Sequence, residues 1–202
     1  MAFFNFYQKR RMQMQEKAQQ LGMKFQMSDE YGLLAMMKDF ALFKKGYGKK
    51  ITNIISNNRG IEEDDIKVFD YRFIVGSGNS TRKILQTVFY IHSKELNLPE
   101  FLVYPEYFYH RIGEFFGMQD IEFEAFPVFS KQYLVQGPEE SLVRNALNED
   151  FLSYFSKEKK WYVEGINYML IFYKRNKRIP VDEIEDFYQK GIKISQMLKT
   201  KK

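Results

Sequence analysis

The segment Ile66–Ser93, IKVFDYRFIVGSGNSTRKILQTVFYIHS, decides the fold of this chain. Its two ends are rich in aromatic and β-branched residues, a composition that favours β-strands. Between them lies VGSGNSTRK, Val75–Lys83, whose glycines and asparagine suit the positive φ angles of a hairpin loop. The segment therefore predicts two long antiparallel strands joined by a turn.

The same loop resembles a phosphate-binding loop only in composition. A Walker-type loop has the pattern G-x-x-x-x-G-K-[ST] and leads into a helix, so that backbone amides face the anion. Here Gly76 and Gly78 enclose the single residue Ser77, and the following run, ILQTVFYI, is typical of a strand. The spacing also differs from the G-x-S-x-G of a nucleophile elbow. We therefore interpret this loop as a turn.

Further runs with strand-like alternation flank this hairpin. They include ITNIIS at 51–56, EFLVYP at 100–105, IEFEA at 121–125 and PVFSKQYLVQG at 127–137. KWYVEG and NYMLIFYKR, at 160–165 and 167–175, predict another hairpin, which turns around Gly165. Because these strands adjoin one another in sequence, we expect an α+β fold: a largely antiparallel, twisted sheet with helices packed on one face.

Helical periodicity appears at both ends of the chain and between the strands. We predict helices at 3–21, after Ser28 or Asp29, from Pro105–Glu106 through Phe116, near 141–147, at 149–155, and a long C-terminal helix after Pro180. The buried face of the last helix should hold Ile184, Phe187, Tyr188, Gly191, Ser195 and Leu198, and Gly191 suggests close contact with the sheet. Residues 1–22 are expected to form an amphipathic, basic N-terminal helix, and residues 23–202 a single α+β domain.

Composition limits the chemistry. The chain has 202 residues and no cysteine, which excludes disulfides, thiolate nucleophiles and cysteine-ligated zinc. No apolar run approaches the length of about 18 residues that a membrane-spanning helix needs. His92 and His110 are the only histidines and fit no metal-binding spacing. We therefore predict no catalytic residues, metal site or cofactor from motifs.

Asp70 is unusual because it lies between Phe69 and Tyr71 within a strand-like run. Arg72 is two residues further on and would share its face. A surface pair with Arg72 is the simpler interpretation, and a buried functional carboxylate is the alternative.

Charge is segregated along the chain, whose net charge is +5. Residues 1–60 carry a net +7, residues 61–150 a net −8 and residues 151–202 a net +6. Basic side chains gather in KRR at 9–11, in KKGYGKK at 44–50, which we interpret as a loop, and in KRNKR at 174–178. The candidates for binding an anion or a lipid are Lys9, Arg10, Arg11, Lys44, Lys45, Lys49 and Lys50. The candidates for insertion into a membrane interface are Phe3, Phe4, Phe6 and Tyr7.

Several of these runs also resemble a family of bacterial proteins of unknown function. The similarity is carried by FDYRFIVGSG at 69–78, QTV at 86–88, PEFLVYPE at 99–106, GMQDIEFEAFPVFSKQYLVQG at 117–137 and WYVEG at 161–165. It covers roughly residues 10–193 and involves no catalytic residues. The resemblance implies a soluble α+β domain that often follows a short N-terminal membrane helix and a basic stretch. Here residues 1–7 are too short to span a bilayer, so we expect an interfacial segment or no anchor.

These observations favour a non-catalytic binding or interaction domain, peripherally associated with the cytoplasmic face of the inner membrane. Its expected partner is an anionic membrane surface or another protein, and the N-terminal helix could join copies of the chain. One alternative is a hydrolase that uses a histidine and a carboxylate assembled in the fold. Another is a nucleic-acid-binding protein acting through residues 44–50 and 174–178, which the acidic middle of the chain disfavours.

Overall fold

A computed structural model describes residues 2–57, 64–106 and 119–200. The strands are β1 Lys24–Ser28, β2 Tyr47–Ser56, β3 Asp65–Val75, β4 Arg82–His92, β5 Leu98–Pro105, β6 Gln119–Asp120, β7 Tyr133–Gly137, β8 Tyr162–Asn167 and β9 Met169–Tyr173. The helices are α1 Ala2–Gln20, α2 Leu33–Met36, α3 Ala41–Lys44, α4 Pro127–Ser130, α5 Glu140–Ala146, α6 Glu149–Phe155 and α7 Ile184–Leu198.

Within this part of the chain the nine strands form one sheet in the order β1-β2-β3-β4-β9-β8-β5-β7-β6. Neighbouring strands pair antiparallel throughout. The β3–β4 hairpin is in continuous register from Asp65 opposite His92 to Val75 opposite Arg82. The α+β class, the antiparallel sheet and the turn at VGSGNSTRK are therefore confirmed.

Each face of the sheet carries a hydrophobic core. Val68 of β3 belongs to the core that the longer helices cover, whereas Phe69 and Tyr71 belong to the core on the opposite face. This alternation follows from the two-residue period of a strand. The one-turn helices α2 and α3 cover part of the second face. We call the face that carries α1 and α7 the helical face.

The C-terminal helix packs as its sequence predicts. All six residues of its expected apolar face are buried, together with Ile194. Gly191 is essential to this contact, because a Cβ at that position would lie 2.3 Å from Cδ2 of Phe89 on β4. The absence of a side chain thus sets how closely α7 approaches the sheet.

Helix α1 is fixed to the helical face by its C-terminal half, where Met14 and Ala18 are fully buried. Its end is marked by Gly22 in the left-handed region, with φ of 65°. The N-cap position of α2 is Gly32, and the two carboxylate oxygens of Asp29 accept hydrogen bonds from the first helical amides, those of Leu33 and Leu34, both at 2.8 Å. Among the described residues, no helix combines the length and apolar character needed to cross a membrane.

Five local predictions were wrong or fall outside the described residues. The last hairpin turns at Tyr168, and Gly165 lies within β8, where a Cβ would clash with the ring of Phe101 at 2.4 Å. Residues 121–125 are not a strand, and 127–130 form α4, which Pro127 begins because proline suits a first helical turn. Residues 47–50 belong to β2 rather than to a loop. Pro105 ends β5, and the rest of the helix predicted after it lies mainly in 107–118, outside the described residues.

Candidate functional site

A pocket of about 200 Å³ opens on the helical face, between the N-terminal half of α1, strands β2 to β4 and the segment that links β9 to α7. Basic side chains dominate its walls. They are Arg11 from α1, Lys50 from β2, Arg72 from β3 and Arg178 from the linking segment, with Tyr7 and Asp70 beside them. We call this space the cationic pocket.

The strand register explains why these groups meet. Lys50 lies directly opposite Arg72, and Thr52 lies directly opposite Asp70. On the other side, Asp70 is opposite Thr87 of β4. Directly opposed residues of antiparallel strands point to the same face. The helical face therefore carries polar side chains at these positions of β2, β3 and β4. They lie beside the apolar side chains that form the core of the same face.

Asp70 forms the floor of the pocket and is saturated by donors. Its Oδ2 accepts from Arg10 Nε at 2.7 Å and from Asn53 Nδ2 at 3.0 Å, and its Oδ1 accepts from an Arg10 Nη at 2.8 Å. The hydroxyl of Thr87 donates to Oδ1 at 3.0 Å and accepts from the amide of Ile179 at 3.0 Å. Arg10 and Asp70 are only 8% and 5% exposed. This buried pair is neutral as a whole and ties α1 to the sheet.

Two other cations of the pocket, Arg11 and Arg72, each carry a buried donor that is not satisfied in this way. The Nε atoms of Arg11 and Arg72 are buried, and neither has a hydrogen-bond acceptor among the described residues. Arg178 lies over the ring of Tyr7, 5.6 Å from its centroid. Burial is the main reason that the pKa of Arg178 is lowered, and the Arg10 charge adds to it, while Asp70 and Tyr7 oppose the shift.

A buried donor without an acceptor costs free energy, and like charges on directly opposed strand positions repel one another. Both penalties fall on the same pocket, at Arg11, Lys50 and Arg72. An anion in the pocket would relieve both, because its oxygens would accept from the arginines and its charge would screen the cations. The arrangement is thus suited to holding an anion.

The basic residues that the sequence indicated as candidates lie in several different places in the structure. Arg11 and Lys50 both line the cationic pocket, whereas Arg10 is buried against Asp70. Lys9 lines a separate groove between α1 and Pro180.

The other lysines of residues 44–50 lie elsewhere. Lys44 faces Glu100 at 3.9 Å, Lys49 donates to the carbonyl of Phe43 at 2.6 Å, and Lys45 contributes charge near the buried Glu164. Among the aromatic candidates, Tyr7 lines the cationic pocket. The side chains of Phe3, Phe4 and Phe6 fall outside the described part of the structure.

The histidine–carboxylate arrangement finds no support at Asp70, whose partners are Arg10, Asn53 and Thr87. Arg72, the expected surface partner of Asp70, is not bonded to it. His92 is exposed at the end of β4, with its ring edge-on to Tyr168 at 6.5 Å. His110 lies outside the described residues. No group of three acidic, histidine or cysteine side chains suited to a metal occurs in the ranges the structure covers.

Sequence reasoning missed the role of Arg72 and Arg178 in this site. Arg72 was considered only as a partner for Asp70, and Arg178 only as a member of the basic cluster 174–178 that would bind nucleic acid. A usable signal was present in β3, where Asp70 and Arg72 occupy alternate positions between Phe69, Tyr71 and Phe73. Such alternation marks a polar patch on one face of a strand that is otherwise apolar.

Comparison with known proteins shows one of similar fold. No protein-family model matches this chain, and no curated protein matches it. Among solved structures, the mycobacterial trehalose monomycolate transport factor A, TtfA, is similar, with a TM-score of 0.66 and 10% sequence identity over 93% of each chain. The fold found here thus also occurs in a bacterial protein of known structure, and at this identity the likeness concerns the fold alone.

Proposed function

We propose that this protein is a non-catalytic binding domain that holds an anionic ligand in the cationic pocket and associates peripherally with an anionic membrane surface on its cytoplasmic side. The single observation that carries the proposal is that Arg11 and Arg72 both line the pocket, and that the Nε atom of each is buried without an acceptor among the described residues. Arginine is well suited to binding phosphate and carboxylate groups through its planar set of donors.

The surroundings of the pocket support the membrane part of the proposal. Tyr7 lines the pocket and follows the aromatic start of α1, so an inserted N-terminus would bring the pocket near the headgroups. Met12 on α1 and Met27 on β1 are 61% and 54% exposed. The sulfur of Met27 lies 3.7 Å from an Arg11 Nη. Apolar and cationic groups therefore occur side by side, as they do on proteins that bind membrane surfaces.

The comparison with TtfA supports a binding role in general terms. That protein is named as a transport factor for trehalose monomycolate. A domain of the same fold that binds a ligand without transforming it is in keeping with that name. The chemistry of the ligand proposed for this chain, however, is taken from its own side chains.

Co-sedimentation with liposomes tests the proposal. The full chain should pellet with phosphatidylcholine vesicles that contain an anionic lipid, and remain in solution with phosphatidylcholine alone. The double variant Arg11→Gln/Arg72→Gln should lose most of this binding. Lys94→Gln/Lys159→Gln removes the same charge from exposed positions outside the pocket and should retain it. Equal binding by the two double variants would contradict the proposed site, and no binding by the unmodified chain would contradict the membrane association.

A further inference from the structure

We infer that the ligand of the cationic pocket is a phosphate monoester, an inference that rests on the proposed anion-binding function and names its chemistry. A phosphate monoester carries a charge between −1 and −2 near neutral pH and three terminal oxygens that accept hydrogen bonds. Three features of the pocket match this group: the directions of its donors, its net charge and its size.

The donors reach the pocket from separate directions. Arg11 comes from the helix above the sheet, Lys50 and Arg72 from two adjacent strands below, and Arg178 from the linking segment at the side. A carboxylate presents two oxygens in one plane, a shape that a single planar arginine can match in a bidentate way. A tetrahedral phosphate presents three terminal oxygens in different directions, so it can engage donors from several elements at once.

The charge of the pocket also favours a dianion. Arg11, Lys50 and Arg72 are three cations that line it, and Asp70, the one carboxylate among the described lining residues, is already paired with Arg10. A singly charged diester would leave most of this positive charge uncompensated. Arg10 thereby has a positioning role, because it neutralises the carboxylate that would otherwise repel an anion above it.

Size restricts what can be attached to the phosphate. The pocket holds about 200 Å³, which is below the range of roughly 300–1,000 Å³ typical of sites for drug-sized ligands. It therefore has room for the phosphate and the first atoms of its alcohol, but not for a nucleotide or a lipid tail. The remainder of the ligand must lie outside, in solvent or in a membrane.

This chemistry is shared by a lipid with a terminal phosphate and by a soluble phosphate ester, and one experiment separates the two. Binding is measured with vesicles of phosphatidylcholine containing phosphatidic acid, a monoester, and with vesicles containing phosphatidylglycerol, a diester, adjusted to equal surface charge. Glycerol 3-phosphate serves as the soluble monoester, by calorimetry and as a competitor.

The inference predicts about tenfold or tighter binding to the monoester vesicles than to the diester vesicles, and competition by glycerol 3-phosphate. Equal binding to both vesicles would overturn the inference and leave the proposed function standing. Binding of glycerol 3-phosphate without vesicle binding would support the inference and overturn the membrane association. Binding of neither would overturn both.

A variant series ties the result to the pocket. Arg72→Gln should weaken binding of glycerol 3-phosphate by about tenfold or more, since it removes a charged donor. Arg72→Lys keeps the charge but not the planar donor set, so its affinity for glycerol 3-phosphate should lie between those of the unmodified chain and Arg72→Gln. Lys94→Gln should bind as the unmodified chain does. Thermal unfolding curves identify any variant that fails to fold, and an unchanged affinity in folded Arg72→Gln would overturn the inference.

Discussion

At the scale of single residues, the cationic pocket brings like charges together at a cost in stability. Lys50 and Arg72 face each other across β2 and β3 with like charge. Natural proteins tolerate such costs where function requires them. The cost should be measurable, and it should depend on salt because the charges are partly open to solvent.

We expect Lys50→Gln to raise the free energy of unfolding by a few tenths of a kcal/mol at low ionic strength, in a buffer without phosphate. Relief of the repulsion between Lys50 and Arg72 is the physical reason, and the gain should shrink as salt is added. Urea denaturation measures the effect. Lys49→Gln is the matched control: it should lower stability, since it removes the hydrogen bond to the carbonyl of Phe43. A Lys50→Gln variant that is less stable at low salt would contradict this account.

For the ion pair between Arg10 and Asp70 we expect the opposite effect: removal of one charge should destabilise the fold. Asp70→Asn should destabilise the fold by roughly 3–5 kcal/mol, because it leaves the Arg10 guanidinium buried without its counter-charge. The double variant Arg10→Met/Asp70→Asn should recover part of that loss. Denaturation of both single variants and the double variant gives the coupling energy. Strictly additive effects would show that the two side chains do not act as a pair.

At the scale of secondary-structure elements, the packing of α7 on β4 depends on one missing side chain. We expect Gly191→Ala to lower stability by about 1–3 kcal/mol through overpacking against Phe89, although alanine is the better helix former. Phe89→Leu in the same chain should relieve part of the clash. Gln189→Ala, at an exposed position of the same helix, is the control and should be close to neutral. A stabilised Gly191→Ala would mean that the helix can move away from the sheet without cost.

The elements also show how far sequence reasoning reaches. The β3–β4 hairpin and the buried face of α7 were predictable, because each has a long, regular pattern of apolar residues. The turn at Tyr168 was not: Gly165 looks like a turn residue, but it is glycine because Phe101 of the neighbouring strand occupies the space of its Cβ. The helix at 127–130 was not predictable for another reason: four residues show too little periodicity to distinguish a helix from a strand.

The site was predictable only in part. The sequence marks Arg11 and Lys50 as members of basic clusters, and it marks Asp70 as an acid within an apolar strand. It does not show that a residue of α1 pairs with Asp70, or that Arg178 joins the same pocket. These contacts span more than fifty positions along the chain and depend on how α1 and the linking segment cross the sheet.

At the scale of the whole molecule, a buried carboxyl group links the sheet to a helix through polar contacts. On the face opposite the cationic pocket, Glu164 of β8 is only 2% exposed. It accepts hydrogen bonds from the hydroxyl of Tyr173 at 2.7 Å and from the amide of Leu42 in α3. Burial raises the pKa of Glu164 to about 7, although these hydrogen bonds oppose the shift.

This shift predicts how global stability depends on pH. Between about pH 4.5 and 7 the folded protein holds a proton on Glu164 that the unfolded chain has released, so stability falls as pH rises through this window. At 1.36 kcal/mol per unit the loss is about 3 kcal/mol. Glu164→Gln should remove it, so that the difference in unfolding free energy between variant and unmodified chain grows from pH 5 to pH 8. Glu124→Gln, at an exposed position, should leave the pH profile unchanged. If the unfolding free energies of Glu164→Gln and the unmodified chain change with pH in parallel, the raised pKa of Glu164 is contradicted.

The most direct test of the central claim follows the arginine Nε–H signals by NMR while glycerol 3-phosphate is added to the full chain. If the ligand binds in the cationic pocket, we expect the Arg11 and Arg72 signals to shift saturably, with a single dissociation constant. The Arg10 signal should already lie at the position of a carboxylate-bonded donor, through its 2.7 Å contact with Asp70, and should change little. Unchanged Arg11 and Arg72 signals at millimolar ligand, or equal shifts spread over exposed cations, would contradict the account.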